Sequence, residues 1–256
     1  INVVLKKQTK ETQLFFEAGQ TREGDGQVLH GGLNHGFELG DDGYINLSVE
    51  YRDREATNRA GPDSLRVSPA RVTQRIGDAD ATDAYVWANG AVGAGNGELY
   101  FFGGLSRREG SSYGFFRSAG DGRTVPALYP NGFLPNIVTT VEDGSLAVGF
   151  KAPFNDTWDW DLSVNHGRSR FGFHERNSVN VSWWYEPLNP ANPAGPRYNA
   201  SPTSADTGTL KFQQTTLNFD VRGSVDIGAS EPLSLATGLE YRREDYAIEA
   251  GDPVSY

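Results

Sequence analysis

The chain contains no cysteine and no methionine among its 256 residues, and it has no long hydrophobic run. Without cysteine, neither a disulfide framework nor a thiolate metal site can form. The lack of even an initiator methionine indicates a segment whose start lies elsewhere. No apolar stretch approaches the roughly 18 residues that a spanning helix needs, which excludes helical membrane proteins. Transmembrane β-strands are not excluded, because their alternation keeps the mean hydropathy low.

The charge of the chain excludes a general nucleic-acid binder. The net charge is −10 and the isoelectric point is about 4.9, whereas proteins that bind nucleic acids neutralise phosphates with basic side chains. Glycine is abundant at 31 residues, and aromatic residues make up 12% of the chain. We therefore expect no nucleic-acid partner.

The clearest pattern runs from Gly40 to Arg54. After a tight-turn sequence, apolar and polar side chains alternate strictly from Tyr44 onward, with Ile45, Leu47 and Val49 on one face. Period-2 alternation of this length is typical of a β-strand with one apolar and one polar face. The Gly-Asp-Asp-Gly turn joins this strand to another alternating run.

The same unit of short turn, alternating strand and long loop recurs to the end of the chain. It predicts about nine strands, which cover residues 11–21, 27–38, 44–54, 83–92, 98–109, 139–152, 158–173, 210–227 and 233–249. A short apolar strand is also expected at residues 1–7. The long loops are expected near residues 55–80, 110–137 and 175–206.

These features predict an all-β fold, an antiparallel transmembrane β-barrel. The strands are longer than the roughly 5–6 residues of ordinary globular strands, and membrane-spanning strands need about 9–11. Outer-membrane barrels also place short turns on one side and long loops on the other. Because an open sheet edge in lipid leaves backbone groups unpaired, the nine strands are expected to form part of a larger barrel.

Several stretches resemble TonB-dependent outer-membrane receptors. Ile1 to Lys7 is similar to the end of the plug domain of that family, and Tyr129 to Pro135 to its third-loop motif. The other similar stretches are Gly40 to Arg54 with Thr57 to Pro62, and Gly238 to Tyr246 with Ala250 to Pro253.

The resemblance implies a receptor and transporter in the outer membrane of a Gram-negative bacterium. Residues 1–7 would end the plug domain, and residues 8–256 would form the N-proximal part of a barrel of about 22 strands. Such a receptor imports a scarce ligand (a siderophore, cobalamin or a saccharide) with energy supplied through TonB. It would be a monomer in contact with outer-membrane lipid. It would bind TonB through a part of the chain not present here, and it would be neither an enzyme nor a cofactor protein.

Aromatic residues on the long loops are the candidate ligand contacts. Aromatic rings on polar loops suit stacking on a sugar or a flat ligand. Their alternative role is to pack the loops together or to anchor them at the lipid interface. The candidates are Trp183, Trp184 and Tyr185 in one loop and Tyr129, Asn131 and Phe133 in another.

Other motifs favour structural explanations. The stretch Gly110 to Gly114 matches the G-x-S-x-G pattern of hydrolases, but no helical period follows it, so chance is the better account. Asp78, Asp80 and Asp83 carry oxygens suited to calcium, yet no glycine-bearing ligand loop accompanies them. The four histidines show no metal-binding spacing. No metal site is therefore predicted.

Two alternative functions remain open on the sequence. A passive porin uses the same strand pattern without a plug domain. A soluble carbohydrate-active β-protein would use Asp159 and Asp161, which lie about 7 Å apart on one strand face. Their place near a turn on the polar face favours a hydrated wall instead.

Overall fold

The computed structural model describes residues 4–7, 9–185 and 200–256. The described chain is all-β, with nine strands in a single sheet and almost no helix. The strands are β1 (Thr12–Gly19), β2 (Val28–Leu39), β3 (Gly43–Arg54), β4 (Asp80–Ala94), β5 (Gly97–Tyr113), β6 (Asn136–Asn155), β7 (Trp158–Arg176), β8 (Ser204–Val225) and β9 (Leu233–Glu249).

Each strand pairs antiparallel with its neighbours in the chain, in the order β1 to β9. The predicted count of nine antiparallel strands is confirmed. The described sheet is open, because β1 and β9 form its two edges. One expectation was wrong, since Val4 to Lys7 are not in a strand. Residues 1–3, the rest of that predicted strand, lie outside the described residues.

Short and long connections lie at opposite ends of the sheet. The turns at residues 40–42, 95–96, 156–157 and 226–232 join strands at one end. The loops at residues 55–79, 114–135 and 177–203 join them at the other end, together with the shorter connection at residues 20–27. We call these the turn side and the loop side.

The described residues also include two short helices, α1 (Val181–Tyr185) and the 3₁₀-helix η1 (Pro253–Ser255). In the part of the chain that the structure describes, no helix is long and apolar enough to cross a membrane.

The two faces of the sheet are buried in the reverse of the usual order. On one face, large apolar side chains are exposed; Leu105 is 62% exposed and Leu146 is 52% exposed. On the other face, Asn46 is 1% exposed and Asn89 is 3% exposed. We call these the apolar face and the polar face. In an ordinary sheet packed on a protein core, the apolar side chains are the buried ones.

The apolar face ends along an oblique border on the loop side. Backbone pairing defines one row of residues that crosses β3 to β9, and its members are Tyr51, Ala84, Arg107, Glu142, Arg170, Lys211 and Ala247. On β3 the apolar side chains reach this row. On β5 the last apolar side chain is Leu105, two residues nearer the turns than the row. On β6 it is Leu146, four residues nearer the turns. On β7, β8 and β9 the last apolar side chains are six residues nearer the turns, at Val164, Leu217 and Tyr241.

This slope has a simple geometric meaning. The border shifts by six residues over the six strand steps from β3 to β9, with no further shift from β7 to β9. This average of one residue per strand corresponds to about 3.3 Å along a strand for about 4.8 Å across the sheet, an angle of about 35°. If the strands are tilted from the vertical by that angle, the border is therefore horizontal. Strands in membrane barrels tilt by roughly 35–45°.

Candidate ligand-binding site

The three long loops contact one another on the loop side. An Arg71 guanidinium nitrogen donates to the carbonyl oxygen of Asn131 at 2.6 Å, which links loop 55–79 to loop 114–135. The hydroxyl of Tyr129 donates to the carbonyl oxygen of Ser178 at 3.0 Å, which links loop 114–135 to loop 177–203. These contacts join the loops into one connected cap at the end of the sheet.

Loop 114–135 has a small apolar core of its own. Val125 is fully buried, and Phe116 and Phe133 are almost fully buried. The Tyr129 ring stacks on the Phe133 ring with 4.3 Å between centroids. At Gly132 the φ angle is +77°, and an added Cβ would lie 2.4 Å from the carbonyl oxygen of Arg117. A side chain cannot be accommodated there, so glycine is required for the loop to close on its core.

The structure brings together the predicted contacts Tyr129, Asn131 and Phe133, but gives them different surroundings. Phe133 is buried, Tyr129 is half-buried, and Asn131 is exposed. Burial raises the pKa of the Tyr129 hydroxyl. This geometry favours a loop-shaping role for the two rings. Ligand contact by these residues stays a prediction, and Asn131 is the one whose side chain is accessible.

The second predicted group, Trp183, Trp184 and Tyr185, lies in the long loop 177–203, where it is part of helix α1. The side chain of Asn180 explains the helix, since its Oδ1 accepts from the backbone N–H of Trp183 at 3.1 Å. The same side chain donates to the carbonyl oxygen of Val254 at 2.7 Å, which fixes α1 against η1. Tyr185 is 51% exposed, and both tryptophans are partly exposed. Their contact with a ligand stays a prediction.

A cleft of about 360 Å³ lies between loops 55–79 and 114–135. Arg71, Arg75 and Asn131 line it, and Phe116 and Phe133 form its apolar side. The Arg75 guanidinium lies 4.6 Å from the centre of the Tyr113 ring, within the range of a cation–π contact. The cleft therefore combines two guanidinium groups with an aromatic wall. Neither arginine could be singled out from the sequence, because both belong to a polar loop without periodicity.

A salt bridge fixes the start of loop 55–79. Both carboxylate oxygens of Asp25 accept from the Arg59 guanidinium, at 2.7 Å and 3.0 Å. Hydrogen bonds from the Arg59 side chain, the Thr21 hydroxyl and the Asn58 backbone hold the pKa of Asp25 well below its ordinary value. Bidentate pairing of this kind fixes orientation as well as distance. Arg59 belongs to the stretch Thr57 to Pro62, which is part of the resemblance described above. Nothing in the sequence indicated that Asp25 is its partner.

Three of the aspartates considered as candidates in the sequence have local partners. Asp83, 4% exposed, lies 3.5 Å from the Arg108 guanidinium and accepts from the Tyr85 hydroxyl. Asp161 accepts from the Tyr100 hydroxyl at 2.7 Å, and Asp159 lies 3.5 Å from Arg222. Within the described residues, no group of three His, Cys, Asp or Glu side chains could hold a metal ion.

The G-x-S-x-G match has no structural support as a nucleophile. Ser112 lies within strand β5, and no helix follows it before strand β6. A nucleophile elbow requires a helix directly after the serine.

No model of a known protein family matches the chain, and comparison with curated proteins finds no similar sequence.

Proposed function

We propose that this chain is part of an outer-membrane receptor of the TonB-dependent type, which binds a scarce ligand outside the cell and imports it with energy supplied through TonB. The observation that carries the proposal is the oblique apolar border. A lipid layer has a flat boundary, so tilted strands meet it along a line that crosses the sheet at the tilt angle. The observed slope of about 35° matches the tilt of barrel strands.

The reversed burial of the two faces supports a lipid-facing wall. In water, a row of exposed leucines from β5 to β9 would be unfavourable, at roughly 25 cal/mol per Å² of apolar surface. In a bilayer, the same side chains are stabilised by lipid. The edges of the sheet, β1 and β9, would then pair with further strands, since each unpaired backbone group in lipid costs several kcal/mol.

The position of residues 4–7 supports a receptor over an open porin. The side-chain amide of Asn89, on the polar face of β4, donates to the carbonyl oxygen of Lys6 at 2.9 Å. The Lys6 ammonium in turn reaches the side chain of Gln13 on β1. The segment before the first strand therefore lies against the face that would line the lumen, as expected for the end of a plug domain.

The loop-side cap is the proposed site of ligand capture. The cleft with Arg71, Arg75 and Asn131 in its lining lies between two of the three connected loops, 55–79 and 114–135. Guanidinium groups bind carboxylate and phosphate groups in bidentate geometry. We therefore expect the ligand to be an anionic one, within the classes of iron chelate, cobalamin or saccharide.

Membrane fractionation of the natural host, followed by gel electrophoresis of the detergent-extracted protein with and without boiling, tests the barrel. A closed barrel resists the detergent, so the unboiled protein should migrate faster. Recovery in the soluble fraction without a mobility shift would contradict the proposal.

A second measurement separates the receptor from the two alternatives. Ion conductance in planar bilayers should be small, because residues 4–7 occupy the polar face, whereas a passive porin would give large stable steps. Glycoside hydrolysis that disappears in Asp159→Asn or Asp161→Asn would favour the carbohydrate-active protein.

A further inference from the structure

Three arginines lie on the apolar face on the loop side of its border, Arg107 two residues past Leu105, and Arg168 and Arg170 four and six residues past Val164. Arg107, Glu142 and Arg170 are neighbours in one row across β5, β6 and β7. The carboxylate of Glu142 accepts from both arginines, at 2.7 Å from Arg107 and 3.3 Å from Arg170. Arg168 lies two residues nearer the turns than Arg170 and on the same face. We call Arg107, Arg168 and Arg170 the arginine cluster.

Arg168 sits where the apolar surface gives way to charge. It pairs with Gly144, and a Cβ added at Gly144 would lie 2.9 Å from the Leu105 side chain and 3.6 Å from the Arg168 Nε. The side chain of Arg168, from its Cγ to its Nε, therefore covers the glycine beside Leu105. Long basic side chains adopt this arrangement where an apolar surface meets a polar one.

The charges around the cluster leave it positive. Two carboxylates face the three guanidinium groups, namely Glu142 and Glu109, and the latter lies 3.8 Å from Arg107. Among the described residues, Arg168 forms no ion pair. The other nearby basic groups are neutralised, since Lys211 pairs with Glu249 and Arg243 with Asp245. This positive patch lies on a chain whose net charge is −10.

Apolar side chains adjoin the cluster on the side toward the turns. Val49, Val86 and Leu105 are neighbours in one row across β3, β4 and β5, and Arg107 lies two residues beyond Leu105 toward the loops. A ligand bound at the cluster would therefore meet apolar side chains on the side toward the turns and guanidinium groups on the side toward the loops.

We propose that the arginine cluster binds the phosphate of an anionic lipid headgroup at the outer boundary of the bilayer. This inference rests on the proposed function, because the apolar face must contact lipid. An acyl chain would then lie against Leu105 and Val49, which brings the headgroup phosphate level with Arg168 and Arg170. The guanidinium fork suits phosphate oxygens, and attraction to anionic lipid increases with each basic residue near the surface.

The test uses the detergent-extracted protein reconstituted into phosphatidylcholine vesicles that contain a few per cent of dansyl-labelled lipid. Energy transfer from the tryptophans reports which lipids contact the barrel. We expect stronger transfer with labelled phosphatidylglycerol than with labelled phosphatidylcholine. Arg168→Gln should lower the preference about fivefold, and adding Arg170→Gln should lower it about as much again. Arg222→Gln, on the polar face near the turns, is the matched control.

The outcomes separate this inference from the proposed function. Flotation of the vesicles shows first whether the protein inserts at all, and failure to insert would overturn both proposals. Insertion with equal transfer from the two labelled lipids, or with an unchanged preference in Arg168→Gln, would overturn the lipid site alone. Displacement of the labelled lipid by millimolar inorganic phosphate would identify a free-anion site and would also overturn it.

Discussion

At the scale of single residues, charged pairs on the loop side position the candidate site. Asp25 and Arg59 connect residues 20–27 to loop 55–79, and Arg71 connects that loop to loop 114–135. These side chains are exposed or half-buried, so each pair contributes orientation more than stability. Thr73 is the only buried residue in loop 55–79, so these pairs should control how often that loop opens.

Replacing Arg59 by alanine should loosen loop 55–79. The carboxylate of Asp25 would lose both guanidinium hydrogen bonds, and the start of the loop would separate from residues 20–27. We expect severalfold faster cleavage of this loop by a protease added to intact cells. Arg123→Ala is the matched control, because Arg123 pairs with Asp121 within its own loop. Equal cleavage of the two variants would contradict the role of Arg59.

Order in loop 55–79 should also depend on pH. The Asp63 carboxylate accepts hydrogen bonds from the backbone N–H of Arg66, the hydroxyl of Thr73 and the side chain of Arg66. These hydrogen bonds, of which the first has the largest effect, lower the pKa of Asp63 from 3.8 to about 2. Because the folded-state pKa is depressed, the stabilising contribution is complete above pH 3.8 and is lost as the pH falls through about 2. Amide hydrogen exchange at Leu65 and Arg66 should report this loss, and Asp63→Asn should abolish its pH dependence.

At the scale of the strands, the same substitution should have different effects on the two faces of the sheet. Leu162 lies on the apolar face and Asn165 on the polar face of β7. Leu162 is already 43% exposed, so an arginine there would be nearly neutral in water. In a bilayer, a lipid-facing arginine costs about 2–4 kcal/mol near the midplane.

Leu162→Arg should therefore lower the stability of the reconstituted protein by about 2–4 kcal/mol, whereas Asn165→Arg should change it little. Urea titration of the protein folded in lipid vesicles, followed by tryptophan fluorescence, measures both. Similar stabilities for the two variants would show that the apolar face does not contact lipid.

The strands were largely predictable from the sequence, because alternation directly reports two unlike faces. Their ends were less so. Strand β4 begins at Asp80 and not at residue 83, and β8 begins at Ser204 and not at residue 210. There the side chains are small or polar on both faces, so backbone pairing continues after the alternation has ended. Helix α1 was missed because its cap, Asn180, lies in a polar stretch that shows no helical period.

The candidate site was less predictable than the strands. Tyr129, Asn131 and Phe133 were singled out as one motif, and the structure does bring them together in loop 114–135. Their partners Arg71 and Ser178 come from other loops, 60 residues away in the case of Arg71 and Asn131. Contacts between loops depend on how the strands bring the loops together, and the local sequence pattern does not predict them.

At the scale of the whole molecule, the segment before β1 should control passage along the polar face. Asn89, 3% exposed, holds Lys6 by a single hydrogen bond. A bond of this kind contributes about 1 kcal/mol, equivalent to about a fivefold change in a population. Asn89→Ala should therefore raise the frequency of open events in planar-bilayer recordings about fivefold. Asn165→Ala, an exposed position on the same face, should leave it unchanged.

The slope of the apolar border also sets the size of the opening that the sheet could enclose. For strands tilted by about 35°, closure with about 22 strands gives a cylinder about 40 Å across between opposite backbones, and closure with about 16 strands gives about 30 Å. The width of single particles in electron micrographs would thus count the strands of the complete cylinder. A width near 40 Å leaves room for a folded domain inside, whereas 30 Å leaves room for little more than a constricting loop.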